Sequence, residues 1–263
     1  MKRRDFLKSS AMLASAGTLV SEVYGQDQSP AAATTGGEYY ELRQYHLRMG
    51  PKQRIVEDYW RKAGVPAWNR AGISTVGVFN VMVGPDSPTL HVLLPCASFA
   101  ALEAAKEKVL ADEAHQRDGA EYLDAAATDP DFVRMESTFL KAFASMPKLE
   151  VPERKGRVFE LRTYESPTEK AGRKKVEMFN SGEIAIFRRA GLAPVFFGEA
   201  LVGSKLPRLT YMVVFPDLTA RTKNWANFGA DPEWKRLSGM PEYADIVSNI
   251  TNVFLQPTGY SQI

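Results

Sequence analysis

The chain has 263 residues, 44% apolar and 24% charged, the balance of a globular protein long enough for one large domain or two smaller modules. A formal charge of +2 gives no nucleic-acid-binding signature, and the excess sits at the N-terminus, where Lys2, Arg3, Arg4 and Lys8 are opposed only by Asp5 and Glu22. The single cysteine, Cys96, excludes an intrachain disulfide and a cysteine-based metal cluster, and it reads as a small buried residue at a strand end.

Lys2-Arg3-Arg4-Asp5-Phe6-Leu7-Lys8 has the pattern of a twin-arginine export signal. The run that follows, Ser9 to Val20, is too short and too weakly hydrophobic to span a membrane. Cleavage is expected near Tyr24-Gly25-Gln26, although Ala14-Ser15-Ala16 also fits the small-x-small rule. The expectation is a signal peptide over 1–25, a flexible spacer over 26–37 rich in Ser, Pro, Ala, Thr and Gly, and an exported, periplasmic or secreted protein with no membrane anchor after cleavage.

Beyond the spacer the chain repeats itself. Tyr40-Glu41-Leu42-Arg43-Gln44-Tyr45 recurs as Phe159-Glu160-Leu161-Arg162-Thr163-Tyr164. At the same offset, Arg70-Ala71-Gly72 recurs as Arg189-Ala190-Gly191, Val83-Gly84 as Val202-Gly203, and Ala111-Asp112 as Ala230-Asp231. A single gapless offset over this length marks two modules, 38–147 and 157–263, joined by a linker over 148–156.

Each module shows one order of elements. A strand with period-2 alternation comes first, Tyr39–Leu47 or Arg157–Glu165. A helix follows, Pro51–Arg70 or Thr168–Arg189; in the second module Ser166-Pro167-Thr168-Glu169 reads as a capping box. Then come strand two (Ile73–Val83 or Leu192–Val202) and strand three (Thr89–Leu94 or Arg208–Phe215). A helix with a broken segment behind it spans Ser98–Gln116 or Asp217–Lys235, and a last strand lies near Phe132–Phe143 or Val247–Gln256. The order β-α-β-β-α-β is ferredoxin-like. Such a sheet has helices on one face and needs a partner for the other. The fold expected is α+β: two tandem ferredoxin-like modules whose antiparallel sheets face each other in an intrachain pseudo-dimeric barrel.

The two Glu-Leu-Arg-x-Tyr strands, with the run from Phe215 to Trp234 ending in Asp231-Pro232-Glu233-Trp234, resemble the NIPSNAP family over both modules. The resemblance implies the dimeric α/β-barrel superfamily, which also holds cofactor-independent monooxygenases and haem-dependent oxidoreductases. It implies no settled catalytic residues. The first module departs from the signature, with Lys106, Glu113 and His115 where the second has Trp225, Pro232 and Trp234.

The candidate ligand-binding residues are Glu41, Arg43, Tyr45, Glu160, Arg162 and Tyr164, which alternation places on one face of each first strand. The expectation is that this face points into the barrel, while Tyr40, Leu42, Phe159 and Leu161 pack on the helices. An arginine so placed can clamp a carboxylate or simply pair with its neighbouring glutamate. Trp225, Phe228, Asp231 and Trp234 are read as structural anchors, with Trp225 and Trp234 in the core. Histidines His46, His91 and His115 show no metal-site spacing, so no metal and no cofactor is expected; haem on His91 or His115 is the alternative. The partner expected is a small, partly apolar ligand or a protein, with no nucleic acid. An oxygenase of the same superfamily and a structural homo-oligomer are the rival readings.

Overall fold

Both copies of the repeated stretch form central strands. In the computed structural model, which describes residues 36–84, 86–155 and 157–263, β1 (Tyr39–Leu47) lies between β3 (Thr89–Cys96) and β4 (Phe132–Ala142). Strand β2 (Gly77–Val81) pairs with the far side of β3. In the second module β5 (Val158–Glu165) lies between β7 (Arg208–Phe215) and β8 (Asn249–Pro257), with β6 (Ala193–Val202) beyond β7. The expected signal peptide, its cleavage point and all but the end of the spacer lie outside the described residues.

The two sheets are joined edge to edge. Strand β2 pairs with β8 from Phe79↔Pro257 to Val81↔Leu255, and β4 pairs with β6 from Phe139↔Val202 to Ala142↔Gly198. All pairings are antiparallel, and the barrel closes in the order β1-β3-β2-β8-β5-β7-β6-β4. Closure leaves no open edge along the paired lengths, which is the usual remedy for exposed strands. The expected intrachain barrel is therefore formed.

Helices cover the outside of each half, and local chemistry sets their starts. Ser98 accepts from Ala101 N ahead of α3 (Phe99–Leu110), and Asp217 from Ala220 N ahead of α7 (Leu218–Ala230). Asp112 and Asp231 cap α4 (Glu113–Leu123) and α8 (Pro232–Ser238). The first long helix runs as α1 (Pro51–Tyr59), a π-helical turn (Trp60–Gly64) and α2 (Val65–Arg70). Its counterpart runs as α5 (Glu169–Met178), a π-helical turn (Phe179–Glu183) and α6 (Ile184–Ala190). This second long helix is capped two residues later than the sequence expectation. Thr168, extended in backbone, accepts from Ala171 N, so Ser166 is not the cap and Pro167 precedes the helix. Gly191 ends α6 at φ 90, a left-handed C-cap that suits glycine.

Strand β2 is shorter than the expected Ile73–Val83. The C-terminal tail takes over there: Gln262 bonds Val76 through both backbone and side chain, and Ser261 Oγ accepts from Val78 N. The same repeats that flagged the modules meet in space. Arg70 donates to Asp112, and Arg189 donates from Nε and Nη2 to Asp231 at 3.0 Å each, tying each first helix to the cap of the last.

Three apolar clusters follow from this geometry. Two lie between helices and sheet, one per module, built around Trp60 and Trp68 and around Phe179, Phe187 and Tyr211. The third fills the barrel lumen, where Tyr40, Leu42 and Phe79 meet Phe159, Phe196 and Met212. This reverses the expected faces. Tyr40, Leu42, Phe159 and Leu161 point inward, while Tyr45 and Tyr164, with the glutamates and arginines that alternate with them, lie beneath the helices. The physical reason is that the lumen receives side chains from both sheets and is the drier place. The helices instead offer hydrogen-bond donors and aromatic planes that polar side chains can use.

Candidate functional site

The polar face of β5 meets α7 and β8 in a single hydrogen-bonded cluster. Glu160 sits at its centre, 0% exposed. Its carboxylate accepts from Arg162 Nη1 at 2.7 Å, from Arg221 Nε and Nη2 at 2.9 Å each, from Trp225 Nε1 at 2.9 Å and from Asn252 Nδ2 at 3.2 Å. Burial alone would raise its pKa, but the Arg221, Trp225 and Arg162 hydrogen bonds outweigh that and hold it at about 2. Glu160 is therefore an ionised, saturated acceptor and unsuited to act as a general base.

Aromatic planes enclose the two arginines. The Arg162 guanidinium lies 4.6 Å from the Trp225 ring and 5.5 Å from that of Tyr164, and Arg221 lies 5.4 Å from Phe254. Tyr164 Oη is 2.9 Å from Tyr211 Oη, and burial pushes both phenols up, so both stay neutral and either hydroxyl can donate to the other. The side chains of Arg162 and Arg221 are 15% and 25% exposed. Two guanidiniums thus face one carboxylate, and the cluster carries one uncompensated positive charge near the surface.

The first module builds the same frame and leaves out the surplus. Arg43 Nη2 donates to Glu41 at 2.8 Å, and Ser137 Oγ donates to the other oxygen at 2.8 Å, the place Asn252 takes in the second module. The Arg43 guanidinium lies 4.9 Å from the Trp68 ring, so the covering aromatic comes from α2 instead of α7. Leu102, buried, stands in the repeat where Arg221 stands. Glu41 and Arg43 are each 9% exposed and form a neutral, sealed pair. The structure thus keeps Glu41, Arg43 and Tyr45 apart from Glu160, Arg162 and Tyr164, on outer faces of different sheets.

Arg221, Tyr211 and Asn252 were not singled out from sequence. A signal for Arg221 exists: the repeat puts a charged residue where the other copy has a leucine. The four residues read as anchors fall on α7 and α8. Phe228 is buried at 6%, while Trp225 and Trp234 are only half-buried, so the expectation of two core tryptophans is corrected. The indole of Trp225 serves Glu160 and Arg162 at the boundary with solvent. Asp231 Oδ1 accepts from the backbone N–H of Glu233 and Trp234.

The histidines lie elsewhere. His115, 1% exposed, has Nε2 2.9 Å from Tyr59 Oη within the ring cluster under α1 and α4. His91 faces the lumen opposite Phe79 and Gln44. Both imidazoles are buried, His91 at 3% and His115 at 1% exposed. Among the described residues no group of three His, Cys, Asp or Glu side chains is placed to hold a metal, and no helix is long and apolar enough to cross a membrane.

The family model described as NIPSNAP matches residues 40–147 and again 159–262. No curated protein matches the chain. Solved structures do. A Lactobacillus acidophilus protein, provisionally named a monooxygenase, aligns over 86% of this chain and 96% of its own with TM-score 0.57 and 9% identity. A similarly named Fusobacterium nucleatum protein aligns over 85% and 93% with TM-score 0.54 and 8% identity. An uncharacterised NIPSNAP-like domain protein from Burkholderia xenovorans is 22% identical over 41% of this chain and 90% of its own, with TM-score 0.38. At these identities the structural likenesses show the fold alone.

Proposed function

The chain belongs to the NIPSNAP family, and from that premise we propose that it is a binding protein for a small, partly apolar acid, taken up by the second module beside α7. The observation that carries this reading is the surplus guanidinium. Arg221 stands where the first module has Leu102, and it brings a second cation to a carboxylate that already has Arg162. A buried ion cluster without a charge imbalance would need no ligand; an exposed edge carrying a spare cation favours an anion. Beside Arg221 lie Asn252, which shares Glu160 with it, and the Phe254 ring, which suits the apolar part of an acid. The acidic side chain of a protein partner would use the same contacts.

The test is calorimetric titration with benzoate. The reading expects saturable binding that weakens at least about tenfold, or about 1.4 kcal/mol, in Arg221→Gln. Equal binding in wild type and variant, or none in either, would reject it.

A second reading, an oxygenase acting on a hydroxylated aromatic, draws on the Tyr164–Tyr211 hydrogen bond beside Arg162 and on the shared fold with the two proteins provisionally named monooxygenases. Substrate-dependent oxygen uptake lost in Tyr164→Phe would favour it. Export by the twin-arginine route, inferred from Arg3 and Arg4, completes the proposal.

A further inference from the structure

The barrel lumen has two unlike ends. From β1 through β3, β2 and β8 to β5 there are four antiparallel steps, so β1 and β5 run the same way. Their N-terminal halves bring Tyr40, Leu42, Phe159 and Leu161 into the packed end. The C-terminal halves share the other end, and register carries the inward face onward through Gln44, His91 and Glu136 in one module and Thr163 and Thr210 in the other. Here the inward residues are polar from both modules.

This end also holds buried polar atoms without partners. His91 is 3% exposed, and its Nδ1 makes no hydrogen bond. His46 Nε2 is 3.7 Å from Glu136, beyond hydrogen-bond range, and is also unsatisfied. Arg208, half-buried, donates from Nη2 to Thr138 Oγ1 across the seam between the modules. Its Nε is buried and unpartnered, and among the described residues no carboxylate comes within ion-pair distance of it. Glu136 instead pairs with Arg134 at 3.0 Å, and Glu165 accepts from Asn249 at 2.9 Å. Burial lowers the Arg208 pKa against the more distant pull of Glu165 and Glu136. A guanidinium taken from water with an idle donor is costly unless something accepts from it.

We propose that this polar end of the lumen is a second binding site, for a small carboxylate seated on Arg208 with the His46 and His91 imidazoles on the facing wall. The site is distinct from the cluster at Glu160, which lies on the outer face of the barrel. The ligand is small because the lumen beyond it is filled by Leu42, Leu161 and Met212. Both modules are needed to build it: Arg208, Thr163 and Thr210 come from one, the histidines and Thr138 from the other. Burial, with His46 adding to it, holds the His91 imidazole neutral, its pKa lowered to about 4. A bound carboxylate would oppose that and raise it.

The experiment is imidazole NMR of the whole chain, whose three histidines give few signals to assign. Sodium acetate is titrated against a sodium chloride control of equal ionic strength. The proposal expects saturable shifts at His91 and His46, none at His115, and a rise in the His91 pKa from about 4 on saturation. Arg208→Gln should weaken the acetate binding read at His91 and His46 at least about tenfold, while Arg221→Gln should leave those histidine shifts unchanged. If Arg208→Gln does not fold, Arg208→Lys keeps the charge but loses the Nε donor and should still weaken binding. Shifts that follow chloride as well as acetate, no saturation below about 50 mM, or equal affinity in the Arg208 variants would overturn the proposal.

Discussion

Replacing Glu160 by glutamine tests the claim that the second module's cluster is held together by one ionised carboxylate. Its pKa is held at about 2 against an ordinary value of 4.5. At about 1.36 kcal/mol per pH unit, that displacement is worth about 3 kcal/mol. An independent figure comes from removing one member of a buried ion pair, which costs about 3–5 kcal/mol. Arg162 and Arg221, at 15% and 25% exposure, keep some access to water, which points to the lower end. The expected loss is therefore about 3 kcal/mol at pH 7. Because the folded-state pKa is depressed, the contribution is complete above the ordinary value and is lost as pH falls through the folded one. The gap between wild type and Glu160→Gln should narrow to about 1 kcal/mol at pH 3. Urea unfolding followed by tryptophan fluorescence at the two pH values reads it. A gap below about 1 kcal/mol at pH 7, or the same gap at both, would refute the reasoning.

The other predictions concern the frame around the sites. Phe196→Ala opens the lumen at a fully buried ring and should cost about 3–5 kcal/mol in the same assay; a loss under about 1 would mean the lumen collapses to fill the space. Lys175→Met strips the buried Glu183 of its 2.7 Å partner. Burial already raises the Glu183 carboxyl, and losing the cation raises it further, so the variant's deficit should shrink as pH falls; a pH-independent deficit would refute this. Adding Glu183→Leu should recover most of the loss, as replacing a whole buried pair often does. Arg3→Lys with Arg4→Lys should abolish export, read by cell fractionation; continued export would point to the general secretion route.

The barrel was legible because its causes are local or repeated. Period-2 alternation marked the strands, Ser98 and Asp217 opened the later helices, and the gapless offset supplied two sheets that could close on one another. The direction of each strand face was not legible. Alternation says that Glu41 and Arg43 share a face, and not whether that face meets helices or lumen, because both are buried. What decided it lies far away in sequence: Trp68 on α2 and Trp225 on α7 provide stacking planes for Arg43 and Arg162, while Phe79, Phe196 and Met212 make the lumen apolar. Trp225 misled for a related reason. A tryptophan at helical spacing usually belongs to the core, yet here its N–H is one of the donors to Glu160. Asn252 and Ser137 could not have been matched by the repeat, because the last strands sit at a different offset and only their register against β5 and β1 shows that they correspond.

The central claim, that the surplus cation of the second module exists to hold an acid, is tested most directly by a crystal structure of the chain grown with benzoate. The account predicts the carboxylate within hydrogen-bond distance of Arg221 and the Asn252 amide, with the ring against Phe254. A benzoate-soaked crystal in which Arg221 contacts only Glu160 and water would contradict it.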